Sequence, residues 1–241
     1  MTRRDEIRLI DGRPLRLRLR RSARARRVGV TVSARGGVEV VMPRRATLRE
    51  VDELLAAHAD WLARQADRHD VWDGPRRRSW ATGSELPLLG ERLRLDIAPL
   101  PAGRSRARAE VAEGRLRLQL PPDGVLDPRP ALERWLRDVA GRHLRQRTAA
   151  IAERVALHPR RVMVGERTSR WGSCSGRGTI SYCYRLVMAP REVVDAVVVH
   201  ELCHLAHANH GPRFQALVRR HCPDHDLHMD WLRRHGGELE I

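Results

Sequence analysis

Leucine and arginine alternate near the start of the chain. Leu15, Leu17 and Leu19 are separated by Arg16 and Arg18, the period-two pattern of a half-buried strand. Val28, Val30 and Val32 continue the alternation. Gly36-Gly37 signals a hairpin, and Val38 and Val40 begin a return strand that Pro43 ends. The period then changes. Thr47-Leu48-Arg49-Glu50 has the form of a capping box, with Thr47 as N-cap and Glu50 at N3. Leu48, Val51, Leu54, Leu55, Trp61 and Leu62 supply the apolar stripe of one helix. Residues 70–84 break the pattern. Asp73-Gly74-Pro75, followed by three arginines, predicts a loop or linker.

The same order then recurs. Leu93 and Leu95 alternate with arginines, and Arg104-Ser105-Arg106-Ala107-Arg108 echoes the stretch from Arg21 to Arg26. Val111 leads into a Glu113-Gly114 turn. Leu116, Leu118 and Leu120 form a strand that Pro121 closes. A helix from about Pro130 to Val155 follows, carrying Leu132, Trp135, Leu136, Val139, Leu144 and Ile151 on its apolar side. This predicts a β-hairpin-plus-helix unit repeated at a spacing of roughly 80 residues. The alternative is two unrelated amphipathic stretches.

Beyond Leu157 the pattern predicts a short strand at Arg161–Val164 and a Gly/Ser-rich segment, Thr168 to Ser175. A second strand is expected from Thr179 to Val187, then a helix opened by Pro190. Val193, Val194, Val197, Val198, Leu202 and Leu205 make that helix strongly apolar, hence buried. Asn209 and Gly211 are its stop signals. Short helices fit 212–221 and 226–235. The expected class is α+β, with a strand-rich N-terminal half and a smaller C-terminal domain whose helix packs on a short sheet. The divisions read from the pattern are 1–70, 71–129 and 130–241.

Composition narrows the class. The chain has 241 residues, 41% hydrophobic and 32% charged, which describes a globular protein able to bury a core without disulfides. Every basic side chain is arginine, and the net charge is +16. Such a balance attracts polyanions, so contact with nucleic acid through the basic surface is an expectation. No apolar run reaches the ~18–20 residues of a membrane span, and the first residues lack the apolar core of a secretory signal. The expected setting is cytoplasmic, with no membrane partner. Cys174, Cys183, Cys203 and Cys222 form no CxxC pair and are expected as reduced thiols.

The chemistry lies in the buried helix, which reads His200-Glu201-Leu202-Cys203-His204. Histidines at i and i+4 share one helix face, so both imidazoles can reach one Zn²⁺. Glu201 sits about 100° around the helix, near the metal but off the ligand face, where it can act as general base. This is the zincin signature. Two His and a Glu on so apolar a helix are costly without partners. His210 follows six residues after His204, where the helix should have stopped and the chain can turn back; a third histidine there leaves one coordination position open. His207 is the competing third ligand, although one rigid helix does not easily converge three ligands. His221, His225, His228 and His235 fit a solvated surface. The spacing also matches the metzincin HExxHxxGxxH, but His207 stands where that motif has Gly.

A denser resemblance covers about 165–235. Its residues are Arg170-Trp171-Gly172-Ser173-Cys174-Ser175, Gly178-Thr179-Ile180-Ser181, Arg185-Leu186, Pro190, the stretch from Val197 to Leu205, and Asn209-His210-Gly211-Pro212-Arg213-Phe214. Together they resemble the YgjP-like metallopeptidases, relatives of the SprT and WLM zincins. The resemblance implies one Zn²⁺ per chain on His200, His204 and His210, with Glu201 as general base. It also implies a small sheet, built from the Arg170–Cys174 segment and the strand after it, packed against the active helix. Cys183 and Tyr184 depart from the Asn and Trp common there.

The expected activity is peptide-bond hydrolysis of a peptide or protein substrate by a zinc-hydroxide, with Glu201 relaying the proton. Oxyanion or substrate contacts are expected among Tyr182, Tyr184, His207 and Arg213. Trp171 is a further contact candidate, and the strand at 179–187 could hold an extended peptide. The alternative is a zinc hydrolase acting on a nucleotide phosphoanhydride, for which Ser175-Gly176-Arg177-Gly178 would be the phosphate loop. A third reading, a nucleic-acid-associated protein with a structural metal, leaves Glu201 without a task.

Overall fold

The alternating leucines do face a core. Leu15, Leu17 and Leu19 are buried while the arginines between them turn outward or lie half-buried. They belong to the first of two compact units, Met1–Arg78 and Ser79–Ile241. The structure, a computed structural model, describes residues 3–33, 36–74, 79–101, 103–121, 127–167 and 170–241.

The first unit holds strands β1 (Arg3–Ile10), β2 (Arg13–Ser22), β3 (Gly29–Ser33) and β4 (Gly37–Pro43), then helices α1 (Leu48–Ala57) and α2 (Ala59–His69). The sheet order is β1-β2-β4-β3, with β2 and β4 parallel and the other pairs antiparallel. Thr47 caps α1: its hydroxyl oxygen accepts the Glu50 N–H at 3.3 Å. The single predicted helix is two, because the chain bends at His58. The bend resets the phase of the stripe. Val51, Leu55, Leu62 and Ala66 are buried, whereas Leu48 and Trp61 are left exposed.

The second unit begins with β5 (Glu85–Leu88), β6 (Glu91–Pro99), β7 (Arg108–Ala112) and β8 (Arg115–Leu120), in the order β5-β6-β8-β7. Order and strand senses repeat those of the first sheet, and so does the register. Leu17 pairs with Val38 and Leu19 with Val40; Leu95 pairs with Leu116 and Ile97 with Leu118, each member displaced by 78 residues. Between them the facing charges are kept with signs exchanged, Arg18 opposite Glu39 and Asp96 opposite Arg117. Asp11-Gly12 and Leu89-Gly90 occupy corresponding hairpin turns, all four residues at positive φ, the type I′ geometry that matches strand twist. The predicted repeat is therefore present.

The chain continues with α3 (Arg129–Val155), β9 (Arg161–Gly165), β10 (Gly172–Cys174), β11 (Thr179–Cys183), a 3-10 turn (Tyr184–Met188), α4 (Arg191–Cys203), α5 (Pro212–His221) and α6 (His225–His235). One core joins Leu93, Leu95, Leu116 and Leu118 to Leu132, Leu136 and Leu144 of α3, to Ile180, and to Val194 and Val198 of α4. Arg147 on α3 and Asp195 on α4 make a two-pronged ion pair that fixes these helices together.

Three expectations need correction. The strand expected over 179–187 ends at Cys183; the rest is a buried 3-10 turn whose Val187 carbonyl accepts the Leu89 N–H at 2.8 Å. A fully buried run has no alternation to mark where a strand stops. Pro190 is the N-cap of α4 rather than its first residue. The helix stops at Cys203, six residues before Asn209, as the N–H groups of Leu205, Ala206 and His207 fold back onto Leu202 and Cys203. The four cysteines are free thiols. Among the described residues no helix is long and apolar enough to cross a membrane.

Candidate metal centre

Helix α4 presents His200 in its last turn and His204 at its C-cap. The tight turn after it frees the chain to reverse, and Pro212 starts α5 at a position where a missing N–H costs nothing. The loop between them returns His210. One ring nitrogen from each of His200, His204 and His210 lies within 4.8 Å of the others. His200 Nε2 and His210 Nε2 are 3.1 Å apart. Two nitrogens sharing a tetrahedral Zn²⁺ at ~2.05 Å stand about 3.3 Å apart, so the separation suits that ion.

Each ring is held from behind. His204 Nδ1 donates to the His207 carbonyl at 3.0 Å, which leaves Nε2 bare. Phe214, the only phenylalanine of the chain, lies against all three rings, with centroid distances of 5.0, 4.4 and 4.9 Å to His200, His204 and His210. It is 1% exposed and forms the apolar floor of the cluster. Burial and the neighbouring rings push His200 down to about 3, and burial lowers His204. Both are thus neutral at pH 7, the form in which imidazole binds a metal.

Glu201 is 5% exposed, and its Oε2 has no hydrogen-bond partner among the described residues. Burial pushes its carboxyl up to about 7, against the opposing pull of Arg170. An orphaned buried carboxylate oxygen beside three convergent imidazoles is costly for folding alone. Gly172 makes the placement possible. A Cβ there would stand 2.5 Å from Glu201 Oε1.

A cavity of about 370 Å³ opens over these groups, lined by Arg170, the run from Gly172 to Gly176, His200, Glu201, His204, Ala208 and His210. Its wall is β10. The strand order β10-β11-β9 makes β11 the central strand, so the peptide addition expected there is blocked on both sides. The edge strands are β10 and β9, and β10 is the one that lines the cavity. Trp171 accepts the Cys183 N–H and Ser175 donates to the Thr179 carbonyl. By the antiparallel alternation, the main-chain groups of Gly172 and Cys174 point away from β11.

The other candidate residues lie elsewhere. Tyr182 and Tyr184 are fully buried, and the Tyr182 hydroxyl is 3.2 Å from Thr148 Oγ1. Neither ring lines the cavity. Arg213 is exposed on α5 outside it, and His207 takes part only through its carbonyl. Trp171 sits behind β10, where its ring meets Gly236 and the Arg185 guanidinium. Arg185 is buried and holds the C-terminal segment through the Leu239 carbonyl at 3.1 Å. The Ser175–Gly178 segment is a hairpin turn in which the N–H groups of Ser175, Gly178 and Thr179 bond within the turn. His225, expected at the surface, is 5% exposed and its Nε2 stands 3.0 Å from His200 Nδ1.

Residues 26–235 match the family described as YgjP-like, metallopeptidase domain. The chain belongs to the YgjP-like family. No curated protein matches the chain. The match starts at residue 26, so it takes in β3 and β4 of the first sheet, all of the second sheet and the histidine cluster, while β1 and β2 precede it. A metallopeptidase domain and a three-histidine donor set point to the same class of chemistry.

Proposed function

We propose that this chain is a zinc-dependent metallopeptidase in which His200, His204 and His210 hold the metal and Glu201 is the general base. The observation that carries this reading is the convergence of three imidazole nitrogens beside a buried, partnerless carboxylate oxygen. When bound, zinc supplies Lewis-acid polarisation of a carbonyl and makes water more acidic near neutral pH. Glu201 then takes a proton from the attacking water and passes it to the leaving amine nitrogen. Arg170 brings positive charge to the same cavity, suited to charge developing on the substrate's carbonyl oxygen. The substrate lies extended along β10, pairing its main chain with Gly172 and Cys174. Such pairing reads backbone rather than side chains, so cleavage is expected in unstructured or loop segments.

The nucleotide reading is the weaker one: in the loop that would cradle phosphate, the N–H groups of Ser175 and Gly178 are bonded within its own hairpin. The test is a paired assay on a quenched fluorescent casein-type peptide and on nucleoside triphosphates. Peptide hydrolysis is expected, abolished by a chelator and restored by added Zn²⁺, with no phosphate release. Metal-dependent triphosphate hydrolysis without peptide cleavage would overturn the reading.

A further inference from the structure

His225 is the first residue of α6, and it is almost fully enclosed. Its ring plane lies 10° from that of His200 with the two rings edge to edge, centroids 5.2 Å apart, and its Nε2 faces His200 Nδ1 at 3.0 Å. On its other side Nδ1 stands 3.4 Å from Asp226 Oδ1, while Asp226 Oδ2 accepts from Arg219 at 3.3 Å. The contact between the two imidazoles needs one proton on one nitrogen. The Asp226 carboxylate decides which, because when ionised it can only accept. It takes the N–H of His225 Nδ1. A neutral His225 then has a bare Nε2, and the proton of the shared contact belongs to His200 Nδ1. His200 Nε2 is left bare on the side of His204 and His210.

We propose that His225, oriented by Asp226, is a positioning residue that fixes His200 in the Nδ1–H tautomer with Nε2 free for the metal, and so ties α6 to the metal centre. The function proposed above enters only as the identity of what His200 holds. The role follows the general rule that a metal-binding histidine donates its second nitrogen to a partner that fixes ring and tautomer. The partner here is a second imidazole rather than a carboxylate, with the carboxylate one step further out.

The test uses the full chain and two variants, His225→Gln and His225→Leu. Glutamine places an oxygen where Nε2 was and can accept from His200; leucine fills space and accepts nothing. Histidine ring ¹⁵N shifts of the metal-free protein report the tautomer. Competition with a chromophoric chelator reports Zn²⁺ affinity. The expected result is the Nδ1–H tautomer in the wild type and His225→Gln, and its loss in His225→Leu. Zinc should bind about 10–100-fold more weakly to His225→Leu and within about threefold of wild type to His225→Gln. Should leucine prevent folding, Asp226→Ala carries the same test at an exposed side chain, by freeing His225 to take the opposite tautomer. A wild-type His200 protonated at Nε2, or His225→Leu holding zinc as tightly as wild type, overturns the proposal. A wild type that binds no zinc yet shows the Nδ1–H tautomer, lost in His225→Leu, sinks the metallopeptidase reading and supports the positioning.

Discussion

Glu201→Gln is expected to lower peptide hydrolysis by about 10²–10⁴-fold, the usual contribution of a general base. Glutamine keeps the volume and one oxygen but cannot accept the proton. The side chain stands off the ligand face, so zinc content should stay near that of the wild type. The enclosed setting makes the variant informative. Glu201 is 5% exposed, and it is the one carboxylate among the described residues that line the cavity, so no second acid stands ready to substitute. Steady-state kcat/KM on the fluorescent peptide, beside zinc analysis of the same sample, reads both terms. Unchanged turnover would remove Glu201 from the chemistry, and a parallel loss of zinc would make it a ligand instead.

Gly172→Ala is expected to cost about 10²-fold in kcat/KM, the scale of a misplacement of about 1 Å in a catalytic group. The new Cβ would meet Glu201 at Oε1 2.5 Å, Cγ 2.7 Å and Cδ 2.8 Å, closer than side-chain carbons tolerate. Neither partner can yield cheaply. Glu201 is packed within α4, and β10 is paired along its length with β11. The three closest contacts are all to Glu201, so the three histidines should still hold zinc. Wild-type turnover in a folded Gly172→Ala protein would mean that Glu201 has another resting position and that its present one is not needed. The expected signature is reduced turnover with full zinc, the same as for Glu201→Gln but reached through the neighbouring strand.

His200, Glu201 and His204 are legible in the sequence because helical spacing is local: i and i+4 share a face whatever surrounds them. His210 is legible for a related reason, since only a short loop separates it from the helix end. His225 is not. Its burial depends on α6 docking beside α4, and nothing in the spacing from 200 to 225 marks it. Phe214 is visible as a family residue, but its place beneath three rings is a tertiary fact.

The sheets divide in the same way. Leu15 to Leu19 and Leu116 to Leu120 read as strands because one face is buried. Strand β1 escapes the pattern, because Ile7 and Leu9 lie on its outward face at 58% and 72% exposure. The type I′ turn at Asp11-Gly12 is the signal that could have found it. The choice of β10 over β11 as the free edge follows from non-local pairing with β9, which period-two patterns do not encode.

The central claim is that three histidines of this chain hold one zinc ion. Elemental analysis of the purified protein, with His210→Ala run beside it, tests that most directly. The account predicts about one zinc per wild-type chain and a small fraction of that in the variant. A wild type that is metal-free and cannot be reloaded, or a variant that retains its full zinc, would contradict it.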